Sequence, residues 1–587
     1  MRKTHTVGQY LVDRLVELGV GHLFSIAGDY SIEWVDSYVG HSPIHVVEEV
    51  NELIAGYAAD GYARQKGAKG IGALCVTYSA GALCAANSMA GSYVEKVPVV
   101  LINGAPSIAK TLTFEQTGFS AHHFISGRET DLQVFEYITA AAVRVDNPDL
   151  APMLIDYALT QCITERRPVY IELLEDIVDL YCLPPDRPLS RARTLPDKTN
   201  VEASVTKITE ALEKSKSPLI WIGVEIDRFG LRENAITLLE KLKIPYVTQL
   251  MSKAVFSEDD SLFAGVLDGR SSSSVVQNLA SDSDFILALG VWLTDINCLG
   301  WTPDYDKTAF ASWDTIKFGT YFSPQVPLKS LIDSLAATKV NREAQNLPQG
   351  PPHEAPSLLN LSDEIDYQGF YDFVQDYVDE NTIIGSDASM NYFGSLLVKV
   401  PTPRGFIIQS SYSAIGYIGP AATGVCLAKE EHQRVMVFSG DGGFQMTAQC
   451  LSTQTRFKLN PIVFVIDNGV YGVEQWLADS TVFDSNKPFH KSCILHPWNY
   501  SELAAVFGCK GWRIGTPEKA GTYGELKEAV TGALKNLSSP SIIQVFVPRK
   551  SIPSNAKWKI EVDATAMARS TPTASPEAKW SRNKFSN

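Results

Sequence analysis

A glycine-containing turn in the last third of the chain combines the residue types that a phosphate and a divalent cation require. The apolar run 434–440 is typical of a buried strand, and it leads into Asp441, Gly442 and Gly443 and then into helical apolar spacing over 444–457. Unpaired amides and the helix dipole at such a turn favour an anion, and glycines let the backbone approach it. An aspartate at this place fits a hard cation such as Mg²⁺, which bridges carboxylate and phosphate oxygens.

A second strand brings an asparagine to the same region. The run 461–467 ends at Asn468, which follows Asp441 by 27 residues, the length of one helix plus one strand. Because ligands of parallel sheets bind outside the carboxyl ends of the strands, we expect Asp441 and Asn468 at neighbouring strand tips. Each motif alone is more often an ordinary turn, and only the pair at this spacing indicates a site for a metal-bound phosphate.

The elements that must position these residues form a repeated pattern along the chain. Short β-branched runs alternate with helical periodicity, which indicates parallel sheets covered on both faces. The predicted fold class is therefore α/β, with three doubly wound domains and mainly parallel sheets. The runs that support this prediction are 98–104, 168–173, 218–223, 284–290, 434–440, 461–467 and 541–547.

Two segments rich in proline and charge divide the chain. They span about 183–200 and about 341–363, and such composition is typical of linkers. The predicted domains are residues 1–182, 201–340 and 364–558. The last stretch, 563–587, is rich in Ser, Thr, Pro and Lys and is predicted to be a flexible C-terminal tail.

Composition argues against several classes of function. The 587 residues carry a net charge of −15 without a long basic cluster, which disfavours binding to nucleic acid. The nine cysteines are scattered and form no CxxC pair, which disfavours a disulfide framework and a thiolate zinc site. No apolar stretch reaches the roughly 20 residues of a membrane span, and the N-terminus lacks the apolar core of a signal peptide. These features predict a cytoplasmic protein without membrane partners.

At their observed spacing, the two turn motifs resemble the GDG and Asn signature of enzymes that use thiamine diphosphate (ThDP). The similarity extends over nearly the whole chain and is greatest to the 2-oxo acid decarboxylases, a family that acts on pyruvate, indolepyruvate, phenylpyruvate or branched-chain 2-oxo acids. The segments that carry the resemblance are 27–29, 50–53, 57–64, 90–93 and 104–107 in the first domain and 414–417, 440–443 and 468–474 in the last.

This resemblance implies an architecture and a set of ligands. In chain order, the domains would bind the pyrimidine of ThDP, form a central unit and bind the diphosphate. The cofactors would be ThDP and Mg²⁺, and the substrate would be a small-molecule 2-oxo acid. The resemblance also implies a homodimer or homotetramer in which each active site is built between two subunits.

By the same resemblance, residues of the last domain hold the cofactor. The Mg²⁺ ligands would be the Asp441 carboxylate, the Asn468 side chain and the Val470 carbonyl, an oxygen set that suits this cation. Ile415 would support the bent cofactor from below, and the Ser413 carbonyl would accept a hydrogen bond from its 4′-amino group. Met390 lacks a hydroxyl that the family has, which Ser389 could supply. The further expected cofactor contacts are Gly442, Gly443, Ser389 and Met390.

Five residues are expected to handle protons. The resemblance assigns Glu52 to the aminopyrimidine N1′, whereas without it a solvated glutamate on a helix surface is the ordinary interpretation. Adjacent histidines point to opposite sides of an extended strand but can converge in a loop. The pair here is followed by Phe124 instead of the family's threonine, and 127–130 also departs from the family. The residues expected to exchange protons with substrate and product are Asp29, His122, His123 and Glu474.

Three departures from the pyruvate-specific members bear on the substrate and the metal. Ile296 stands where those members carry an aromatic residue, and 388–392 replaces their Thr-Gly-Thr segment. Such changes in an apolar pocket shift selectivity by about 1 to 3 kcal/mol per methylene, here toward long or aromatic 2-oxo acids. Asp467 replaces the first residue of the family's Asn-Asn pair. The substrate pocket is expected to be lined by Ile296, Ala388, Tyr392 and Val473.

The leading interpretation is ThDP- and Mg²⁺-dependent, non-oxidative decarboxylation of a 2-oxo acid to an aldehyde and CO₂, with aromatic or branched-chain substrates ahead of pyruvate. The alternative is a ThDP-dependent carboligase of the acyloin or acetolactate-synthase type, in which the enamine joins a second carbonyl. The segment 113–117 is faintly similar to a Phe-Gln-Glu segment of that group. A non-catalytic ThDP-binding homologue is a third interpretation, which the presence of Glu52, Ile415 and Glu474 disfavours.

Overall fold

A computed structural model describes residues 5–126, 129–191, 194–342 and 359–570. These residues form three large sheets of six, seven and seven strands and one two-stranded ribbon. Most strands of the large sheets run parallel, and their inner strands are buried on both faces. The predicted α/β class with mainly parallel sheets is confirmed.

The first sheet is parallel throughout. The strands of this sheet and of the ribbon are β1 (His5–Thr6), β2 (His22–Ser25), β3 (His45–Glu48), β4 (Gly72–Thr77), β5 (Val99–Ala105), β6 (Ala142–Val145), β7 (Val169–Leu174) and β8 (Tyr181–Cys182). The order is β3-β2-β4-β5-β7-β6, and β1 pairs with β8. The helices are α1 (Val7–Glu17), α2 (Ile32–Ser37), α3 (Glu52–Lys66), α4 (Ala80–Val94), α5 (Ile108–Thr117), α6 (Thr130–Glu136) and α7 (Ala151–Glu165).

The central sheet has a parallel part and an antiparallel edge. Its strands are β9 (Pro218–Ile222), β10 (Tyr246–Thr248), β11 (Phe263–Val266), β12 (Phe285–Leu289), β13 (Thr308–Ala311), β14 (Thr315–Phe318) and β15 (Tyr321–Pro324). Their order is β11-β10-β9-β12-β13-β14-β15, and β13, β14 and β15 pair antiparallel. The helices are α8 (Lys198–Lys214), α9 (Glu225–Arg228), α10 (Arg232–Leu242), α11 (Ser274–Asp282), α12 (Asp295–Cys298) and α13 (Leu328–Ala337).

The third sheet is parallel except at one edge. Its strands are β16 (Thr382–Ser386), β17 (Phe406–Ile408), β18 (Arg434–Gly440), β19 (Ile462–Asp467), β20 (Lys510–Thr516), β21 (Lys519–Ala520) and β22 (Ser541–Phe546). Their order is β17-β16-β18-β19-β22-β20-β21. The helices are α14 (Tyr367–Gln375), α15 (Asn391–Leu397), α16 (Ile418–Ala428), α17 (Asp441–Thr447), α18 (Cys450–Arg456), α19 (Gly472–Ala478), α20 (Leu503–Phe507), α21 (Tyr523–Lys535) and α22 (Trp558–Ser570).

One helix of the third domain differs from its predicted form. The spacing over 444–457 predicts a single helix, but α17 ends at Thr447 and α18 starts at Cys450. The Thr447 hydroxyl donates to the Gly416 carbonyl at 2.7 Å, so the end of α17 is held against the chain before α16. Periodicity does not register such a break, because both short helices bury the same face.

Helices α3 and α16 join the first and third domains by direct backbone contact. A Cβ atom on Gly61 would lie 2.3 Å from the Ala421 carbonyl oxygen, and one on Gly424 would lie 1.9 Å from the Ala58 carbonyl oxygen. Residue 61 of α3 contacts residue 421 of α16, whereas the earlier residue 58 contacts the later residue 424. The helices therefore run antiparallel. The start of α3 therefore lies near the end of α16.

The C-terminal helix continues past the start of the predicted tail. Residue 563 lies inside α22, where Asp563 accepts hydrogen bonds from Ser480 Oγ and Lys559 Nζ, both at 2.6 Å. The remainder of that predicted tail, 571–587, lies outside the described residues. So do residues 127–128 of the segment that departs from the family and residues 343–358 of the second predicted linker. Among the helices that the structure describes, none has the length and apolar character needed to cross a bilayer.

Candidate active site

Asp441 and Asn468 follow two neighbouring strands of the third sheet. Strands β18 and β19 pair in parallel and end at the same edge, with Asp441 directly after β18 and Asn468 directly after β19. The Asp441 carboxylate accepts hydrogen bonds from the Gly442 N–H at 2.8 Å and from the Gly469 N–H at 2.7 Å. This carboxylate therefore ties the two strand tips together.

A second carboxylate lies beside Asp441. Asp441 and Asp467 are 3% and 6% exposed, and Asp467 accepts a hydrogen bond from Gln544 Nε2 at 2.8 Å. Burial, and then the Asp467 charge, raise the pKa of Asp441 well above its usual range. In the part of the chain that the structure describes, no lysine or arginine forms an ion pair with either carboxylate. Two adjacent buried carboxylates are costly without a cation, so this pair fits a divalent metal ion.

The oxygen atoms around this pair suit magnesium and a diphosphate. The Asp441 carboxylate, the Asn468 side-chain oxygen and the Val470 carbonyl are hard ligands of the kind that Mg²⁺ prefers. They line a narrow cavity at the strand tips together with the four remaining expected cofactor contacts, which are Ser389, Met390, Gly442 and Gly443. The residues present therefore fit the metal and the phosphate end of ThDP.

A second, mostly apolar cavity opens beside the narrow one. It encloses about 90 Å³, which exceeds the roughly 10–15 Å³ that one water molecule needs. All four expected pocket residues line it, as do Phe393, Trp476 and Leu477, which sequence reasoning missed because no motif includes them. The residues that line both cavities are Ala388, Ser389, Ile415, Val473 and Glu474. Ile415 and Glu474 therefore lie where the two cavities meet.

The turn that carries Ser413 and Ile415 is held by an aspartate that sequence reasoning missed. The Gly416 N–H donates to Asp387 Oδ2 at 2.9 Å, and a Cβ atom on Gly443 would lie 2.5 Å from the same oxygen. Burial raises the pKa of Asp387 to about 6. A carboxylate at the end of a buried strand, next to Ala388, is the signal that could have identified this residue.

The expected proton donors of the first domain form one cluster. His122 Nε2 lies 2.6 Å from Asp29 Oδ2, and the His122 and His123 ring centroids are 4.9 Å apart. The Tyr30 ring stacks on His122 at 4.9 Å. His123 has φ of +68°, a left-handed conformation that lets adjacent histidines face the same region. The side chains of Asp29 and His122 are 52% and 56% exposed.

Glu52 lies at the first turn of α3. The helix is capped by the Asn51 side chain, which accepts from the Ile54 N–H at 2.9 Å. The Glu52 carboxylate contacts the start of α4, because a Cβ atom on Gly81 would lie 3.1 Å from its Oε1. The loops after β2, β3 and β4 bring Asp29, Glu52 and Gly81 to the carboxyl edge of the first sheet.

Within one chain, the first-domain residues lie apart from the cavities of the third domain. Glu52 contacts Gly81 on α4, whereas the Tyr412 ring lies 3.1 Å from a Cβ atom built on Gly91 of the same helix. Ten residues of helix separate these contacts, a distance of about 15 Å. Ser413 and Ile415 lie one and three residues after Tyr412. Among the described residues, no hydrogen bond, ion pair or ring contact joins Glu52, Asp29 or the histidines to the Asp441 group.

Three family models of thiamine pyrophosphate enzymes match successive parts of the chain. The model of the N-terminal TPP binding domain matches residues 5–126, that of the central domain 205–335 and that of the C-terminal TPP binding domain 388–545. The order of the matches is the order of the three sheets along the chain.

Individual proteins extend the similarity over more than nine tenths of the chain. The chain is 30% identical to a pyruvate decarboxylase of Neurospora crassa, over 92% of this chain and 93% of that one. It is 30% identical to an alpha-keto-acid decarboxylase of Mycobacterium tuberculosis, over 94% and 95%. The structure of benzoylformate decarboxylase from Polynucleobacter necessarius matches with a TM-score of 0.74 and 19% identity, over 94% of this chain and 100% of that one. At this identity the structural match shows the fold.

Proposed function

The chain belongs to the thiamine-diphosphate-dependent 2-oxo acid decarboxylases, and we propose that it prefers 2-oxo acids with aromatic or branched side chains over pyruvate. The reaction would be non-oxidative and Mg²⁺-dependent, with an aldehyde and CO₂ as products. The observation that carries this preference is the apolar cavity, which meets the cofactor cavity at Ile415 and Glu474. Its rings, Tyr392, Phe393 and Trp476, offer contact area that the methyl group of pyruvate would leave unused.

Different residues of the chain are proposed to have different roles in the reaction. Bound ThDP supplies the carbanion chemistry that breaks the bond to the carboxyl group. Asp441, Asn468 and Val470 would hold Mg²⁺, while Ile415 and the Ser413 carbonyl would orient the cofactor. A substrate side chain that fills the apolar cavity would displace water from it, which strengthens the electrostatic interactions of groups at its edge.

Proton transfer falls to the charged residues. Replacing a carboxylate by hydrogen requires one proton, which an acid near the substrate must deliver. Glu474 borders both cavities and is proposed to act there, together with the Asp29, His122 and His123 cluster. Glu52 is proposed to hold a hydrogen bond to the aminopyrimidine ring.

We propose that the first-domain residues Asp29, Glu52, His122 and His123 meet the cavities of the third domain between two copies of the chain. The assembly would be a homodimer or homotetramer. The contacts along α4 support this assembly, because Glu52 contacts Gly81, which lies about 15 Å from Gly91, the residue that faces the Tyr412 ring just before the Ser413 and Ile415 turn. A cytoplasmic location is proposed from the nine cysteines, none of which forms a disulfide in the structure, as is typical of reducing compartments.

A product assay tests the proposed reaction. Purified protein with ThDP and Mg²⁺ is incubated with pyruvate, a branched-chain 2-oxo acid, phenylpyruvate and indolepyruvate, while CO₂ is followed and the organic product is identified. Aldehyde in equal amount to CO₂, with a higher kcat/KM for the larger acids, is expected. Coupled products would instead establish a carboligase, and no CO₂ from any acid would establish a non-catalytic homologue.

A variant pair tests the role of the cavity in the preference. Ile296→Phe restores ring volume and should lower kcat/KM for phenylpyruvate about tenfold relative to pyruvate. Ile32→Phe adds the same ring on α2, where Ile32 is 45% exposed, and should leave the ratio unchanged. If the ratio of kcat/KM for phenylpyruvate to that for pyruvate is the same in both variants, Ile296 does not contact the substrate.

A further inference from the structure

We infer that Asp268, a residue outside the apolar cavity, positions two walls of that cavity and thereby sets the preference for the substrate side chain. The inference rests on the proposed function, because these walls belong to the candidate substrate cavity. Asp268 follows β11 of the central sheet and is fully buried. It belongs to none of the motifs on which the family resemblance rests.

Asp268 contacts a tyrosine of the third domain. The Tyr392 hydroxyl lies 3.0 Å from Asp268 Oδ1 and 3.1 Å from the Ile296 carbonyl oxygen. The residues Tyr392 and Ile296 both line the cavity. One buried hydroxyl therefore joins the end of β11, helix α12 and helix α15, which come from two different domains.

The loop after Asp268 packs tightly against α12. Gly269 has φ of +58°, and a Cβ atom on it would lie 2.1 Å from the Cys298 carbonyl oxygen. The Arg270 N–H donates to the Leu299 carbonyl at 2.9 Å, and Leu299 also lines the cavity. A displacement of Asp268 would therefore reach the cavity wall through direct contacts.

The protonation of Asp268 decides how the tyrosine bonds. Tyr392 has one hydroxyl proton for two possible acceptors. Burial raises the pKa of Asp268 to about 8, against a smaller lowering by Tyr392. Below that pH the neutral carboxyl donates to the Tyr392 oxygen, and Tyr392 donates to the Ile296 carbonyl. Above it the carboxylate accepts the Tyr392 proton, and the Ile296 carbonyl loses its donor.

Few titratable groups face this pair. Cys298 on α12 lies near Asp268, and burial raises the pKa of its thiol to about 11, so it stays neutral through this change. Glu95 acts on Tyr392 from the end of α4 but forms an ion pair with Arg64 at 3.4 Å. No cationic side chain of the described residues forms an ion pair with Asp268. Its Oδ2 is buried without a hydrogen-bond partner, which favours the neutral form.

Two substitutions of Asp268 separate its hydrogen bond from its charge. Asp268→Asn keeps the shape and a donor, whereas Asp268→Ala removes both. The matched control is Tyr246→Phe, which removes a hydroxyl that donates to Asp260 at 3.2 Å in the same domain, away from the cavity. The quantity compared is the ratio of kcat/KM for phenylpyruvate to kcat/KM for pyruvate.

Asp268→Ala should lower this ratio about tenfold, mainly through a higher KM for phenylpyruvate, because only the larger side chain reaches the Tyr392 wall. Asp268→Asn should stay within about threefold of the wild type at neutral pH, and Tyr246→Phe should leave the ratio unchanged. In the wild type the ratio should fall as the pH rises through about 8, and Asp268→Asn should lack this dependence. A purely structural role of Asp268 would leave the pH profile of the ratio unaltered.

An unchanged ratio in Asp268→Ala, or the same pH dependence in Asp268→Asn, would overturn the inference. If Asp268→Ala does not fold, Tyr392→Phe keeps the ring and loses both hydrogen bonds, and it should lower the ratio by about fivefold. A binding measurement separates this inference from the proposed function. The ratio of the Kd values of 3-phenylpropionate and propionate, which lack the oxo group, should change in the ThDP- and Mg²⁺-loaded variants by the same factor as the kcat/KM ratio. If the wild type makes no aldehyde from any acid, the proposed function fails, while the Kd ratio still decides the role of Asp268.

Discussion

The two groups of candidate active-site residues differ in how completely one chain surrounds them. Asp441 is 3% exposed, and each of its carboxylate oxygens accepts a backbone hydrogen bond. The Asp29 and His122 side chains, by contrast, are more than half exposed and share a single hydrogen bond. A pair in water is screened, whereas a buried group interacts strongly with its neighbours. The comparison teaches that one chain buries the Asp441 group, whereas it leaves Asp29 and His122 accessible, as the proposed site between two copies of the chain requires.

The largest expected effect separates the tasks of the two groups. Glu52→Gln should lower kcat about 10³-fold, because the amide cannot exchange the proton that the carboxylate handles. The Kd for ThDP should change less than about threefold, since Glu52 lies outside the Asp441 group. Steady-state CO₂ release and calorimetric titration measure the two quantities, with the exposed Glu33→Gln as the control. Full activity in Glu52→Gln would refute its role in proton transfer.

The converse substitution targets the buried group. Asp441→Ala removes a carboxylate that ties two strand tips and is expected to bind Mg²⁺, so the Kd for ThDP should rise about 100-fold. Titration with ThDP at fixed Mg²⁺ measures this change, and Asp36→Ala on the exposed side of α2 serves as the control. Unchanged ThDP and Mg²⁺ contents would exclude Asp441 from the ligands.

A mixing experiment tests whether the two groups meet across copies of the chain. Co-expressed Glu52→Gln and Asp441→Ala chains should regain about a quarter of the wild-type activity, because half of the dimers are mixed and each has one intact site. Glu52→Gln mixed with His122→Ala should regain none, since both changes fall in the same group. The CO₂-releasing activity of the dimer fraction, isolated by size-exclusion chromatography, measures the recovery. No recovery in the first mixture would mean that each site forms within a single chain.

The smallest effect concerns the contact that joins the two domains within a chain. Gly424→Ala would place a Cβ atom 1.9 Å from the Ala58 carbonyl oxygen and push α16 away from α3. The expected loss is about 1–3 kcal/mol in the free energy of unfolding, measured by urea denaturation. Gly40→Ala is the control, because a Cβ atom there would lie 3.5 Å from its nearest neighbour. Equal midpoints for the two variants would show that the helices can separate at no cost.

Local sequence predicted the parts of the site that follow single strands. The run before Asp441 is β18 and the run before Asn468 is β19, and their parallel pairing brings the two residues to one edge. The spacing is informative because a helical crossover connects adjacent parallel strands. The residue after one strand and the residue after the next are therefore separated by one helical segment and one strand. The broken helix between them was not predicted, since the Thr447 contact with Gly416 comes from a distant segment.

Residues held by long-range contacts escaped sequence reasoning. Asp387 and Asp268 stand in no recognisable motif, and their importance comes from partners 29 and 124 residues away. Whether His122 and His123 converge was open in the sequence, because the outcome depends on the positive φ of His123. Such a conformation is imposed by surrounding packing and is not encoded by residue type.

The sequence by itself determined the α/β class, the strands that end in Asp441 and Asn468, and the family to which the chain belongs, because all three depend on residue type and short spacing. Only the tertiary structure decided that Ile415 and Glu474 border both cavities, that Asp268 is hydrogen-bonded to Tyr392, and that Glu52 and Tyr412 contact positions of α4 about 15 Å apart. These facts depend on how the helices and sheets pack across domain boundaries. Packing is a property of the whole fold, so no local pattern carries it.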